Sequence, residues 1–205
     1  MSGLAGLLER ALDEPGADDA TEERILDAAL AEVAERGTAG ATMDDFARRA
    51  GVGRMTVFRR FGGKDALIER LILRELRRFL AGVDARLAGI EDPGERVVEA
   101  FLACLRAGTG HPLMARLARL EPGITLERLA RGSPSPLEVG RAFVAARLRA
   151  QGDPDADAAA DVLVRLAATY VLLPGTVVDV HDEASARAFA ERTLAPIGAR
   201  RTGGL

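Results

Sequence analysis

Apolar residues recur at helical spacing along most of the chain, and no alternating strand pattern persists. The first clear stripe is Ile25, Ala28, Ala29 and Val33, which predicts a helix over 21–36 ended by Gly37. Thr42 followed by Asp45 has capping-box spacing and predicts a short helix over 43–50. The run Ala-Gly-Val-Gly at 50–53 then bends the chain, with Gly51 where a helix end takes a left-handed residue and Val52 as an apolar plug between two helices. A second short helix is expected over 54–60, with Val57 and Phe61 on its inner face and Arg54, Met55, Phe58 and Arg59 spread over the rest. A helix as short as this second one does not stand alone in water, so it must be held by Phe46, Ala50 and the helix over 21–36.

Beyond residue 63 the same periodicity predicts helices over 64–87, 95–107, 112–120, 125–131, 136–150, 155–173 and 183–194. Proline and glycine mark the joints, at Asp92-Pro93-Gly94, Glu121-Pro122-Gly123, Gly132 to Pro136, Gly152 to Pro154 and Pro174-Gly175. The helix beginning at Lys64 carries Leu67, Leu71, Leu76 and Leu80 inward and is expected to connect two domains. The chain of 205 residues is long enough for one domain of about 50 residues and one of about 120. An all-α fold follows, divided into a flexible N-terminal extension over 1–20, a helix-turn-helix unit over 21–66, a helical domain over 67–199 and a flexible tail over 200–205.

Charge changes the picture only when it is resolved along the chain. The net formal charge is −3, which averages over three different regions. Residues 1–45 carry three arginines and twelve acids, 46–64 carry six basic groups and no acid, and 65–205 carry nineteen of each sign. Phosphate neutralisation depends on the charges that face the backbone, not on the mean. A local basic field on a helix-turn-helix pattern indicates a reader of duplex DNA.

The segment TEERILDAALAEVAERGTAGATMDDFARRAGVGRMTVFRRFGGKDALIERLI, residues 21–72, resembles the amino-terminal DNA-binding domain of the tetracycline-repressor (TetR) family. It carries A-x-x-x-x-A-E-R-G, a Thr-led helix, A-G-V, T-V-F-x-x-F and G-K-x-x-L in one order and spacing. The resemblance implies a three-helix DNA-binding domain followed by a helical effector-binding and dimerisation domain. It further implies a double-stranded DNA operator, a small apolar or amphipathic effector and a homodimer as partners. Arg54 is then expected to pair with guanine in the major groove and Met55 to touch a thymine methyl, while Thr42, Thr56 and Lys64 hold phosphates. Met43, Phe58, Arg59 and Arg60 complete the expected DNA face. The expected effector wall comprises Phe101, Cys104, Leu105, His111, Met114, Leu117, Phe143, Thr169 and Tyr170. The expected dimer stripe comprises Val162, Leu163, Leu166, Ala167, Phe189, Leu194 and Ile197, which would otherwise close the core of one subunit.

The remaining chemistry is sparse. Two histidines, one cysteine, no paired metal-ligand spacing and no glycine-rich phosphate loop after a strand argue against an enzyme, a bound metal or a cofactor. The single Cys104 excludes an internal disulfide and fits a cytoplasmic chain. No apolar run reaches membrane-spanning length, because Pro174 and Asp179 break the longest one. Three residues depart from the family pattern: Gly53 lacks a capping side chain, Phe58 lacks the phenolic oxygen of the usual Tyr, and Arg60 replaces a common His. With the acidic leader ADDATEE, these departures support an alternative, a helical ligand carrier or interaction module with weakened DNA affinity.

Overall fold

The computed structural model describes residues 20–111, 113, 114, 116, 122–132, 134–173 and 178–199. The expected flexible extension before Ala20, the tail over 200–205, Leu117 and most of the helix expected over 112–120 lie outside the described residues. Within them every regular element is a helix: α1 Ala20–Gly40, α2 Met43–Ala50, α3 Arg54–Phe61, α4 Lys64–Leu87 and α5 Pro93–Gly110, followed by α6 Pro122–Ala130, α7 Pro136–Ala150, α8 Ala156–Leu172, α9 Glu183–Thr193 and α10 Ala195–Gly198. The helices α4 and α7 span the residues that periodicity predicted. Helix α5 starts earlier than the apolar stripe suggests, because Asp92 caps it by accepting from the Glu95 N–H and Pro93 occupies the first turn.

Local chemistry sets the boundaries in the first three helices. Gly37 interrupts α1 with φ 79°, a left-handed backbone that glycine takes at little cost. The Thr42 hydroxyl accepts from the Asp45 N–H, and the Asp45 carboxylate accepts in turn from the Thr42 N–H at 3.1 Å and the Thr42 hydroxyl at 2.6 Å. Gly51, at φ 65°, ends α2 in the left-handed conformation that the turn requires. Asp45 is buried, and the Thr42 hydroxyl, followed by Arg48, holds its pKa down to about 2 from 3.8.

Two cores organise the molecule. The first gathers Ile25, Leu26, Ala29 and Val33 of α1, Phe46 and Ala47 of α2, and Val57 and Phe61 of α3. It continues into Leu67, Ile68 and Leu71 of α4 and also takes in Leu113, which is 1% exposed. The second fills the space between α5, α8 and α9, with Val98, Phe101, Leu102, Leu105, Ala186, Ala190 and Leu194. Phe101, Tyr170 and Phe189 form an aromatic triad there, with ring centroids 5.3–6.0 Å apart. Helices α7 and α8 meet through Ala145, Ala156, Ala159 and Ala160, whose small side chains allow close approach. Thus Ala159 and Ala160 serve contact within the subunit.

Two consequences for stability follow. Phe46→Ala is expected to cost about 3–5 kcal/mol, read as a lowered midpoint in denaturant unfolding followed by circular dichroism. Asp45 is ionised further down in the folded chain than in the unfolded one, so its stabilisation is complete above pH 3.8 and is lost as pH falls through about 2. Asp45→Asn should therefore flatten the stability-versus-pH curve in that window.

Candidate nucleic-acid interface and effector cavity

Helix α3 is pinned by Val57, 0% exposed, and Phe61, and it presents its other face outward. On that face Met55 is 74% exposed and Phe58 53%, alongside exposed Arg54, Arg59 and Arg60. Two of the four exposed large apolar side chains among the described residues thus lie on this eight-residue helix. Apolar side chains left bare beside cations are unfavourable against water alone and suit a surface that offers both methyl groups and phosphates.

The basic stretch is less uniformly available than its sequence suggests. Arg49 donates to Glu32 and Glu35 of α1, each at 2.8 Å, and so fastens α2 to α1, while Arg48 pairs with Asp45 one turn back within α2. Arg54 Nη1 lies 3.0 Å from Asp44 Oδ2, an exposed pair that spans α2 and α3. Lys64 Nζ donates to the Ala39 carbonyl at 3.1 Å. Thr42 is exposed but its hydroxyl is committed to the cap, and Thr56 is half-buried. Met43, expected on the DNA face, is half-buried and packs against the first core from the first position of α2. Asp44 is the functional neighbour that the sequence reasoning missed. Its signal was available, since Asp44 and Asp45 together are the last acids before the acid-free stretch.

Behind α4 lies a cavity of about 270 Å³, walled by α4, α5, α7 and α8. Helix α4 contributes Ile72, Leu76, Phe79, Leu80, Val83 and Leu87, one residue or pair per turn along its length. Of the expected wall residues, Phe101, Cys104, His111, Met114 and Phe143 line it. Leu105 and Tyr170 do not: they point from the same helices into the second core, Tyr170 as part of the aromatic triad. Thr169 is exposed on the outer face of α8, its hydroxyl donating to the Arg165 carbonyl. Glu75, Arg96, Arg147 and Gln151 line the cavity without having been anticipated. Glu75 was legible as an acid one helical turn after buried Leu71, on the apolar face of α4.

The polar wall residues are mostly paired. Glu75 Oε2 lies 3.1 Å from His111 Nε2, and Glu75 Oε1 accepts from Arg74 Nε at 2.8 Å. Burial pushes the Glu75 carboxyl up, but the bond from His111 and the charge of Arg74 outweigh it and hold the pKa below its ordinary value. Arg74 reaches Glu23 Oε2 at 3.0 Å and Asp27 Oδ1 at 2.9 Å on α1. Arg147 bonds Asp84 and lies over the Phe143 ring, 3.3 Å from its centroid. Among the described residues no three His, Cys, Asp or Glu side chains come together as a metal site, and no helix is long and apolar enough to cross a membrane.

Comparison with known proteins places this arrangement. Residues 25–71 match the family model described as bacterial regulatory proteins, tetR family. An uncharacterized HTH-type transcriptional regulator of Mycobacterium tuberculosis is 30% identical over 179 residues, covering 85% of this chain and 84% of that one. The chain belongs to the TetR family. It is accordingly a DNA-binding transcriptional regulator, with α2 and α3 as the helix-turn-helix. The solved TetR family repressor AlkX from Dietzia sp., implicated in biodegradation of n-alkanes, shares the fold at TM-score 0.66 and 21% identity, over 89% of this chain and 99% of that one. FadR from Bacillus subtilis, solved in complex with stearoyl-CoA, shares it at TM-score 0.57 and 16% identity, over 87% and 98% respectively.

In this TetR-family chain the expected dimer residues take different positions. Val162 is 45% exposed, whereas Leu194 is 1% exposed within the second core. Leu163, Leu166, Ala167, Phe189 and Ile197 are half-buried against that core, and Leu163 and Ala167 also line the cavity. The outer face of α8 presents Ala158, Val162, Arg165 and Thr169 at helical spacing, with Leu173 just beyond the helix end.

Cys104 gives a direct probe of the wall. Burial raises its thiol pKa to about 12, so little thiolate exists at pH 8 in the folded protein. A disulfide reagent such as Ellman's reagent should label the native chain slowly and the urea-unfolded chain at the rate of an ordinary thiol. Rapid native labelling would show that the wall is open to solvent.

Proposed function

We propose that this regulator is a homodimeric repressor, released from a near-palindromic operator when an elongated apolar or amphipathic molecule fills the cavity. The observation that carries the proposal is the double duty of α4. Its first turns, Leu67, Ile68 and Leu71, are part of the reader's core, and its later turns form the cavity wall. An occupant that displaces α4 therefore displaces the reader, and by linkage DNA and effector each weaken the other's binding equally. The wall chemistry favours a mostly apolar occupant, and two neighbours of this fold, one implicated in biodegradation of n-alkanes and one solved with stearoyl-CoA, accord with that class.

Within the operator, Arg54 leaves Asp44 to bond guanine O6 and N7 in the major groove, while Met55 and Phe58 pack against base methyls or sugar. Arg59 and Arg60 lie beside them, and Lys64 and Thr56 face phosphates and set register, joined by Thr42 if its hydroxyl gives up its bond to Asp45. Pairing of two subunits through the outer face of α8, centred on Val162, would set two copies of α3 about one duplex turn apart, ~34–36 Å. The half-buried Leu163, Leu166, Ala167, Phe189 and Ile197 support that face from beneath.

Selection of duplexes from a random pool tests the proposal. The expected product is a palindrome. Arg54→Ala should relax preference at one base pair in each half-site, at a cost of about 1–3 kcal/mol. Lys64→Ala should weaken all sequences alike and reduce the salt dependence by about one charge. Affinity for operator should fall steeply as salt rises. No enrichment at low salt would favour the ligand-carrier alternative.

A further inference from the structure

The wall of the cavity carries two polar atoms that are buried and, among the described residues, have no hydrogen-bond partner: His111 Nδ1 and Gln151 Oε1. Both are acceptors. Glu75 presents a carboxylate to His111 Nε2 at 3.1 Å, which assigns a proton to Nε2 and, in the neutral imidazole, leaves a lone pair on Nδ1. The Gln151 side-chain oxygen can only accept. A buried acceptor without a donor costs the full price of its desolvation, about 1–3 kcal/mol.

The two atoms stand at opposite ends of the chamber. His111 caps the end of α5 and bonds Glu75 on the reader-proximal half of α4. Gln151 caps α7, one turn past Arg147, and Arg147 is anchored to Asp84 near the far end of α4. Along α4, the wall from Glu75 to Leu87 measures about 18 Å at 1.5 Å per residue. The surface between is apolar, from Leu76, Phe79, Leu80, Phe101, Phe143 and Val164. Arginines at the wall are already engaged, Arg147 with Asp84 and Arg96 with the Leu87 and Ile90 carbonyls. Those bonds would have to be given up to receive a carboxylate.

We infer that the cavity takes an elongated apolar molecule ended by hydrogen-bond donors, of the long-chain alcohol or terminal diol class, with one hydroxyl donating to His111 Nδ1 and the other to Gln151 Oε1. This rests on the proposed effector role of the cavity and specifies its ligand chemistry. The His111 end is also the end that is wired to the reader: His111 bonds Glu75, Glu75 bonds Arg74, and Arg74 bonds Glu23 and Asp27 of α1. Two residues further on, Leu113 enters the reader's core. A hydroxyl seated on His111 thus acts at the head of a bonded path to the DNA-binding helices.

Calorimetric titration of the full chain with decane, decanol, decanoate and the terminal decanediol decides the matter. The expected order is diol tightest, then alcohol, with decane and decanoate weaker than the alcohol by roughly tenfold or more. His111→Phe and Gln151→Leu should each reduce diol affinity roughly tenfold and leave decane binding unchanged. The two histidines of the chain allow a second readout in the nitrogen NMR spectrum, where His111 Nδ1 should shift with the diol and not with decane. This needs no variant to fold. Decane or decanoate binding as tightly as the diol, or an unmoved Nδ1 resonance at saturation with the diol, would overturn the inference while leaving the cavity as an effector site. Binding of none of the four would overturn both.

Discussion

The arrangement depends on one constraint: a single rigid helix, α4, must satisfy two cores at once. Its first turns bury Leu67, Ile68 and Leu71 among α1, α2 and α3, and its remaining turns face the cavity and α7. Close-packed interiors resist continuous deformation, so a side chain that shifts at one end cannot be absorbed silently at the other. The ion pairs reinforce this coupling. Arg70, Arg74 and Arg78 project from α4 at helical spacing onto Glu22, Glu23 and Asp27 of α1, and Arg74 and Glu75 are themselves buried. Partly buried charges of this kind lose much if one partner moves, which stiffens the junction between α1 and α4.

The same logic explains why the reader can be short. Helices α2 and α3 have eight residues each, below the length at which a helix holds itself. Their order comes from the Thr42 and Asp45 cap, the left-handed Gly51 and the burial of Phe46, Val57 and Phe61. Charge then serves two purposes in one stretch. Arg49 holds α2 to Glu32 of α1, Arg48 braces Asp45 within α2, and the more distal cations remain at the surface with Met55 and Phe58.

Much of this was legible in the sequence, for identifiable reasons. Helix periods, caps and glycine turns are local, so the bounds of α4 and α7, the Gly37 break and the α2 to α3 bend could be read directly. The exposed face of α3 was legible because Arg54, Met55, Phe58, Arg59 and Arg60 are close together in one short helix. What failed was the choice among faces of the same helix. Cys104 and Leu105 are neighbours in α5, as are Ala168 and Thr169 in α8, and only packing decides which looks into a cavity, a core or solvent. Pairs distant in sequence were equally hidden: nothing local links His111 to Glu75, or Arg54 to Asp44, before the helices are assembled. The expected subunit-pairing stripe suffered from the same ambiguity, since most of its residues are shared with the second core.

Leu113 carries a last consequence. It sits in the reader's core although more than forty residues separate it from Leu71, the preceding member of that cluster. Nearby, Arg116 donates to the Ala34 and Glu35 carbonyls at the end of α1. The DNA-binding unit is therefore discontinuous in the chain, completed by a peptide from beyond α5. Cutting or grafting the first seventy residues onto another effector domain would leave a hole where that leucine belongs. In this molecule the reader is not a module that can be lifted out, and the unit of inheritance for its stability is the pair of domains together.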